Sequence, residues 1–195
     1  MQVYRECLHA GPRGRPHADD RVDVYLDAFR LHHTVVLRRR LGAEPYTVPP
    51  SDVLLAKLLR PRMSETDVLD VAALLRGVDV REEEAPGTIG VRYLARAGAG
   101  DWGLYHDVTL NLERIAGEAG ALDLGGGQAE RVRAVAGRIL EAMKAARKGS
   151  RWRLRAAVGE RLPWYDAVDE NEGLRIGLLE RPPHRPGSAA GAGPA

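Results

Sequence analysis

Apolar and polar positions alternate from Arg21 onward, with Val22, Val24 and Leu26 on one side and Asp23, Tyr25 and Asp27 on the other. A period of two in β-branched and aromatic residues predicts a half-buried strand. "HTVVLRRRL", from His33 to Leu41, is a second β-rich run. "EPYTVPP" predicts a short extended piece closed by its prolines, which cannot donate to a ladder and disfavour helix just before them. Together these runs predict a small mixed sheet.

After Pro50 the period becomes helical. Ser51 stands where a cap for "DVLLAKLLR" belongs, and Ser64 followed by Asp67 resembles a capping box opening "ETDVLDVAALLR", with a stop at Gly77. Two short helices joined by "PRM" are expected to form an antiparallel or angled pair. Val68, Val71, Ala72 and Leu75 recur at i, i+3, i+4 and i+7, which leaves Asp67 and Asp70 off the stripe, facing a groove or solvent.

"DVREEEAPGT" reads as an acidic linker, and "IGVRYLARAGAG" as a short helix ended by glycines. Asp101 is the expected cap of a longer helix whose Trp102, Tyr105, Val108, Leu112 and Ile115 form a core face rather than an aromatic binding platform. "ALDLGGGQ" breaks the chain, and Ala129 to Arg147 predicts the clearest helix, with Val132, Val135, Ile139, Leu140 and Met143 on one face. "HAGPRGRPHADD" has no periodicity, so order is expected from near Arg21. The tail from Arg181, rich in Pro, Gly and Ala, predicts disorder.

The pattern therefore predicts an α/β protein of the α+β kind: a small, incomplete mixed sheet followed by a mostly helical C-terminal region. The expected divisions are a flexible lead-in over 1–20, a partial core over 21–78, a helical region over 79–180 and a tail over 181–195.

Composition narrows the function classes. A chain of 195 residues can bury one ordinary core. With 44% hydrophobic and 29% charged residues and a net charge of +2, it has no strong bulk attraction to nucleic acid or membrane, so only a local patch can argue for such partners. Cys7 is the single cysteine, which excludes an internal disulfide framework and fits a reducing cytoplasm. The N-terminal residues hold no apolar run of the signal-peptide kind, and no stretch approaches a membrane span, so the expected location is cytoplasmic.

The cations are 26 Arg against only Lys57, Lys144 and Lys148. From Arg131 to Arg161 there are ten Lys or Arg against Glu141 and Glu160, with "RWRLR" in the middle. Such a patch either touches nucleic acid phosphates or is a solvated helix face balanced by acids elsewhere.

Other candidate chemistry is thin. His32 and His33 are adjacent, and neighbours on a strand point to opposite faces, so they do not converge on a metal. "LGGGQ" lacks the Lys-Ser/Thr of a nucleotide loop, and its expected role is to stop one helix and start the next. Asp23 and Asp27 share a strand face with Tyr25 and offer the oxygen ligands a hard cation takes. Lys57 sits among apolar neighbours in "VLLAKLL", where its amine needs an anion. A phosphate is one such anion, and Asp67 or Asp70 is another.

The ordered set "RVDVYLDAF", "HTVVLRRRL", "YTVPPSDVLLAKLLRPRMSETDVLDVAALL", "DWGLYHDVTLNLERI" and "RWRLRAAVGERLPWY" resembles a group of bacterial nucleotidyltransferase-superfamily proteins related to abortive-infection toxins. The likeness runs from about Arg21 to Tyr165, and its most specific part is the helix pair with a lysine and two later aspartates. The resemblance implies Asp23 as a third metal carboxylate, Lys57 as a phosphate contact, and Asp67, with Asp70 behind it, as an acidic motif beside the active site. It also implies Mg²⁺ and an NTP as cofactor and nucleotide, held so that an acceptor hydroxyl attacks the α-phosphorus in line.

The family's Gly-Ser turn and Asp-x-Asp belong upstream of Asp23, and this chain contains no Asp-x-Asp. Thr66 stands where relatives tend to carry a basic residue. The expectation is an N-terminally truncated or degraded relative, transferring NMP to an acceptor if the missing motif is supplied. The alternative expectation is a non-catalytic remnant that binds RNA or a protein partner such as an antitoxin. A strand edge left unpaired by the missing half would favour a homodimer.

Overall fold

The computed structural model describes residues 4–7, 21–24, 28–30, 32–122, 124–125 and 127–165, with the backbone alone for 4–7, 21–24 and 29–30. Four short strands come first: β1 (Tyr4–Cys7), β2 (Arg21–Val24), β3 (Ala28–Arg30) and β4 (Thr34–Val36). Helices α1 (Pro50–Leu58) and α2 (Glu65–Gly77) follow, then strands β5 (Asp79–Arg81) and β6 (Thr88–Gly90). Helices α3 (Val91–Gly100), α4 (Trp102–Glu118), α5 (Gln128–Ala145) and α6 (Ser150–Val158) come next, and a 3₁₀ turn at Gly159–Arg161 is the last element among the described residues.

The class is the α+β expected from the pattern. Among the described residues its strand part is three separate two-stranded ladders rather than one sheet. β1 pairs antiparallel with β2, setting Arg5 opposite Asp23, and β3 pairs antiparallel with β4, setting Phe29 opposite Val35. β1 lies within the stretch read as a flexible lead-in, so the first strand starts upstream of Arg21. The acidic linker also carries strands: β5 and β6 pair in parallel, Val80 opposite Ile89. "EPYTVPP" forms bends and no strand. Tyr25, Asp27 and the tail from Arg181 lie outside the described residues.

The helices build one core. α4 and α5 pack against each other, α3 packs against both, α2 packs against α5, and α1 packs against α2 and α4. Leu54, Leu58, Leu75, Leu94, Leu112 and Ile139 are all fully buried. Removing such a side chain from water is worth roughly 1.5–3 kcal/mol, so these contacts dominate the stabilisation. α5 follows the predicted stripe, with Val132, Ile139, Leu140 and Met143 buried and Val135 replaced by Ala136 at the centre of the face.

α4 differs instructively. Its buried face is Leu104, Asp107, Val108, Asn111, Leu112 and Ile115. Trp102 and Tyr105, expected in the core, are half-buried on its flank. There they hold α6: Tyr105 meets Trp152 edge-on at 5.2 Å, and the Arg155 guanidinium lies 4.6 Å over Trp102. Trp152 also donates its Nε1–H to the Gly98 carbonyl at 2.9 Å. α6 is thereby attached through aromatic edges, and no residue of it is buried.

Candidate functional site around Lys57

Local sequence explains how the α1–α2 pair forms. Pro49 caps α1 and Pro50 occupies its first turn, where a missing N–H costs nothing. Lys57 falls in the last turn of α1, where the helix dipole favours a cation. α2 opens on the expected capping box: the Asp67 backbone N–H donates to Ser64 Oγ at 3.1 Å, and the Ser64 N–H donates to Asp67 Oδ2 at 3.2 Å.

The turn between the two helices is held from α4. Asn111 donates from its amide nitrogen to the carbonyls of Leu58 at 2.9 Å and Arg60 at 2.8 Å, satisfying acceptors that the end of α1 leaves without partners. Arg114 donates to the Met63 carbonyl at 2.9 Å. The register of Lys57 against α2 is therefore set by side chains of a third helix.

Three of the sequence-predicted site residues meet here. The Lys57 ammonium donates to Asp70 Oδ2 at 2.7 Å and to Asp67 Oδ1 at 3.2 Å. Ser64 Oγ donates to Asp67 Oδ2 at 2.8 Å, and Arg60 approaches the same oxygen at 3.4 Å. Asp70 stays half-exposed, but Asp67 is buried, at 3% exposure, rather than facing a groove or solvent. At the third position of α2 its side chain turns back over the helix start, and the end of α1 covers it.

The charges are mutually satisfied. Burial pushes the Asp67 carboxyl up, but the Ser64 hydroxyl and N–H, Lys57 and Arg60 together hold it below the usual carboxylate range. The hydrogen bond to Asp70 raises Lys57 above its ordinary value against the opposing effect of burial, with Asp67 adding to the rise. Both oxygens of Asp67 are taken by side-chain donors, Oδ1 by the Lys57 ammonium and Oδ2 by the Ser64 hydroxyl and Arg60.

Asp23 is not brought into this group by any described contact. β2 sets it opposite Arg5, and its side chain lies outside the described residues. Among the described residues no three His, Cys, Asp or Glu side chains are arranged to hold a metal.

Two buried polar clusters escaped the sequence reading. In the first, Arg40 donates through Nε to Asp52 at 2.6 Å and through Nη2 to Glu84 at 2.8 Å, while its guanidinium lies 3.8 Å over the Tyr93 ring. The Tyr93 hydroxyl donates to Asp52 at 2.5 Å. Burial and that hydrogen bond push the Tyr93 phenol above its ordinary value. Burial raises Glu84, and the Arg40 and Ser51 hydrogen bonds overcome it, so its carboxyl sits below the usual range.

In the second cluster, His33 Nε2 and Asp107 Oδ2 lie 2.7 Å apart, and Trp164 donates its Nε1–H to the other Asp107 oxygen at 2.8 Å. The available signal was Asp107 and Asn111 at i and i+4 on an otherwise apolar stripe, since a carboxylate there needs buried partners. Nothing local marked Arg40, which stands in the run Arg38 to Arg40.

The chain matches no protein-family model, no curated protein and no solved structure. Among the described residues no helix is long and apolar enough to cross a membrane.

Proposed function

We propose that this protein acts by binding rather than by catalysis, and that its partner is RNA, met by the basic face of α6 and the segments on either side of it. The observation that carries this reading is the set Arg147, Arg151, Arg153 and Arg161, all exposed, whose side chains have no ion-pair or hydrogen-bond partner among the described residues. Neighbouring cations are occupied: Arg138 by the Val80 carbonyl at 3.0 Å, Lys144 by Glu113 at 3.6 Å and Arg155 by the Gly159 carbonyl at 2.6 Å.

At about 100° per residue, Arg151 and Arg153 project on either side of a line through Ser150, Leu154 and Ala157. Two guanidiniums straddling one helix can reach phosphates on both sides of it. A cytoplasmic location, with Cys7 reduced, belongs to the same proposal.

The test is RNA affinity as a function of salt for the wild-type chain and for Arg151→Glu/Arg153→Glu. Wild-type binding should weaken as salt rises, and losing two phosphate contacts should flatten the slope of log K on log salt by roughly 1.4 for a single strand. RNA binding that ignores the charge reversal, or none at low salt, would sink the reading.

One observation favours a second reading, a nucleotidyltransferase-like protein moving NMP from an NTP to an acceptor with Mg²⁺. Lys57, Asp67 and Asp70, which the resemblance groups, converge in space. A phosphate on Lys57 would have to replace Asp70, the more exposed of its two acids. Saturable binding of ATP with Mg²⁺ or Mn²⁺, lost in Lys57→Ala, supports this second reading, and its absence leaves the RNA-binding one.

A further inference from the structure

A cavity of about 550 Å³ lies between β4, α1, α3 and the start of α4. Its apolar wall is formed by Val35, Leu55, Tyr93, Ala97 and Leu104. Leu55 and Lys57 stand two apart on α1, about 200° around the helix, so the cavity and the Lys57 cluster occupy different sides of that helix. The cavity is also independent of the RNA reading, which rests on α6.

The volume falls in the range of small-ligand sites, which combine apolar walls with a few polar groups that fix orientation. Three charged residues border this one: Arg39, Arg40 and Asp101. Arg40 is committed to Asp52 and Glu84. Asp101 accepts from the Leu104 N–H at 3.0 Å and caps α4. Arg39 is exposed and has no ion-pair or hydrogen-bond partner among the described residues. An apolar hollow with one uncommitted guanidinium complements a molecule that is apolar along its body and anionic at one end.

We propose that this cavity binds a small amphipathic carboxylate, its apolar body against Val35, Leu55, Ala97 and Leu104 and its carboxylate on Arg39. A planar carboxylate matches the guanidinium fork through two parallel N–H···O bonds. A single uncommitted arginine balances one negative charge, and Asp101 on the same border disfavours a dianion. A cationic ligand would meet two guanidiniums with only the capping aspartate in its favour.

The experiment is calorimetric titration of the full chain with octanoate and with octanamide, which has the same chain and no charge. Octanoate should bind saturably at one site, and octanamide roughly tenfold more weakly, the loss of one charge-assisted contact. Arg39→Gln should weaken octanoate by about the same factor and leave octanamide unchanged, since the Arg39 side chain has no ion-pair or hydrogen-bond partner among the described residues. Ala97→Trp should fill the cavity and abolish both. If that variant fails to fold, Arg39→Gln alone decides. No saturable octanoate binding to the wild-type chain, equal affinities for the two ligands, or octanoate binding indifferent to Arg39→Gln would each overturn the proposal.

Discussion

His33 and Asp107 stand 74 positions apart in the chain, and their side chains meet at 2.7 Å in the interior, with exposures of only 3% and 1%. The pair joins the end of the β3–β4 connection to the middle of α4. Trp164 completes it from beyond α6, so three distant segments depend on one carboxylate.

Asp107→Ala should therefore destabilise the protein by about 3 kcal/mol, because it leaves a buried imidazole and the indole N–H of the half-buried Trp164 without their acceptor. Urea denaturation measures the loss. Trp164→Phe keeps the ring and removes only the N–H, so it should cost about 1 kcal/mol.

Asn111→Ala should cost roughly 1–3 kcal/mol, since the Leu58 and Arg60 carbonyls lose a shared buried donor. Hydrogen exchange should show the added opening concentrated at the α1–α2 turn. Uniform loosening across the helices would count against this role.

The cluster of Lys57, Ser64, Asp67 and Asp70 gives stability a definite pH dependence. Asp67 has a folded value below its ordinary 3.8, so its contribution is complete above that value and is lost as pH falls through the folded one. Lys57 has a folded value above its ordinary 10.5, so its contribution is complete below that value and is lost as pH rises through the folded one. Asp67→Asn should flatten the acid limb of a stability–pH curve, and Lys57→Met the alkaline limb.

Two glycines distinguish soft from hard neighbours. A methyl group at Gly98 would meet the end of the Met143 side chain at 2.5 Å, which can rotate away. At Gly103 it would meet the Trp164 backbone oxygen at 2.5 Å and the His33 ring at 3.1 Å. Gly103→Ala should lower the melting temperature more than Gly98→Ala, and its near-ultraviolet circular dichroism should report disturbance at Trp164.

Much of the helical part is legible in the sequence because its signals are local. The Ser64–Asp67 capping box, the Asp101 cap and the α5 stripe each depend on residues within a few positions of one another. Lys57 in an apolar run pointed to an anion by the same kind of logic, and Asp67 and Asp70 are that anion. The strand content was harder to read: ladders of three or four residues carry too little period to separate from a linker, as β5 and β6 show. Burial of Asp67 and of the Arg40 and Asp107 clusters depends on partners from other segments, and no window along the chain contains them.

The Arg40 cluster constrains the order in which this protein can change. One guanidinium stands between two carboxylates, Asp52 and Glu84, within the packed interface of α1, α3 and the loop before β6. If Arg40 is lost first, Asp52 and Glu84 both lose the guanidinium they share. If Asp52 changes to an apolar residue first, Arg40 still has Glu84, and its own later loss is less damaging. Descendants of this sequence that dispense with the cluster should have surrendered an acid before the base, a mutational path with a direction built into it.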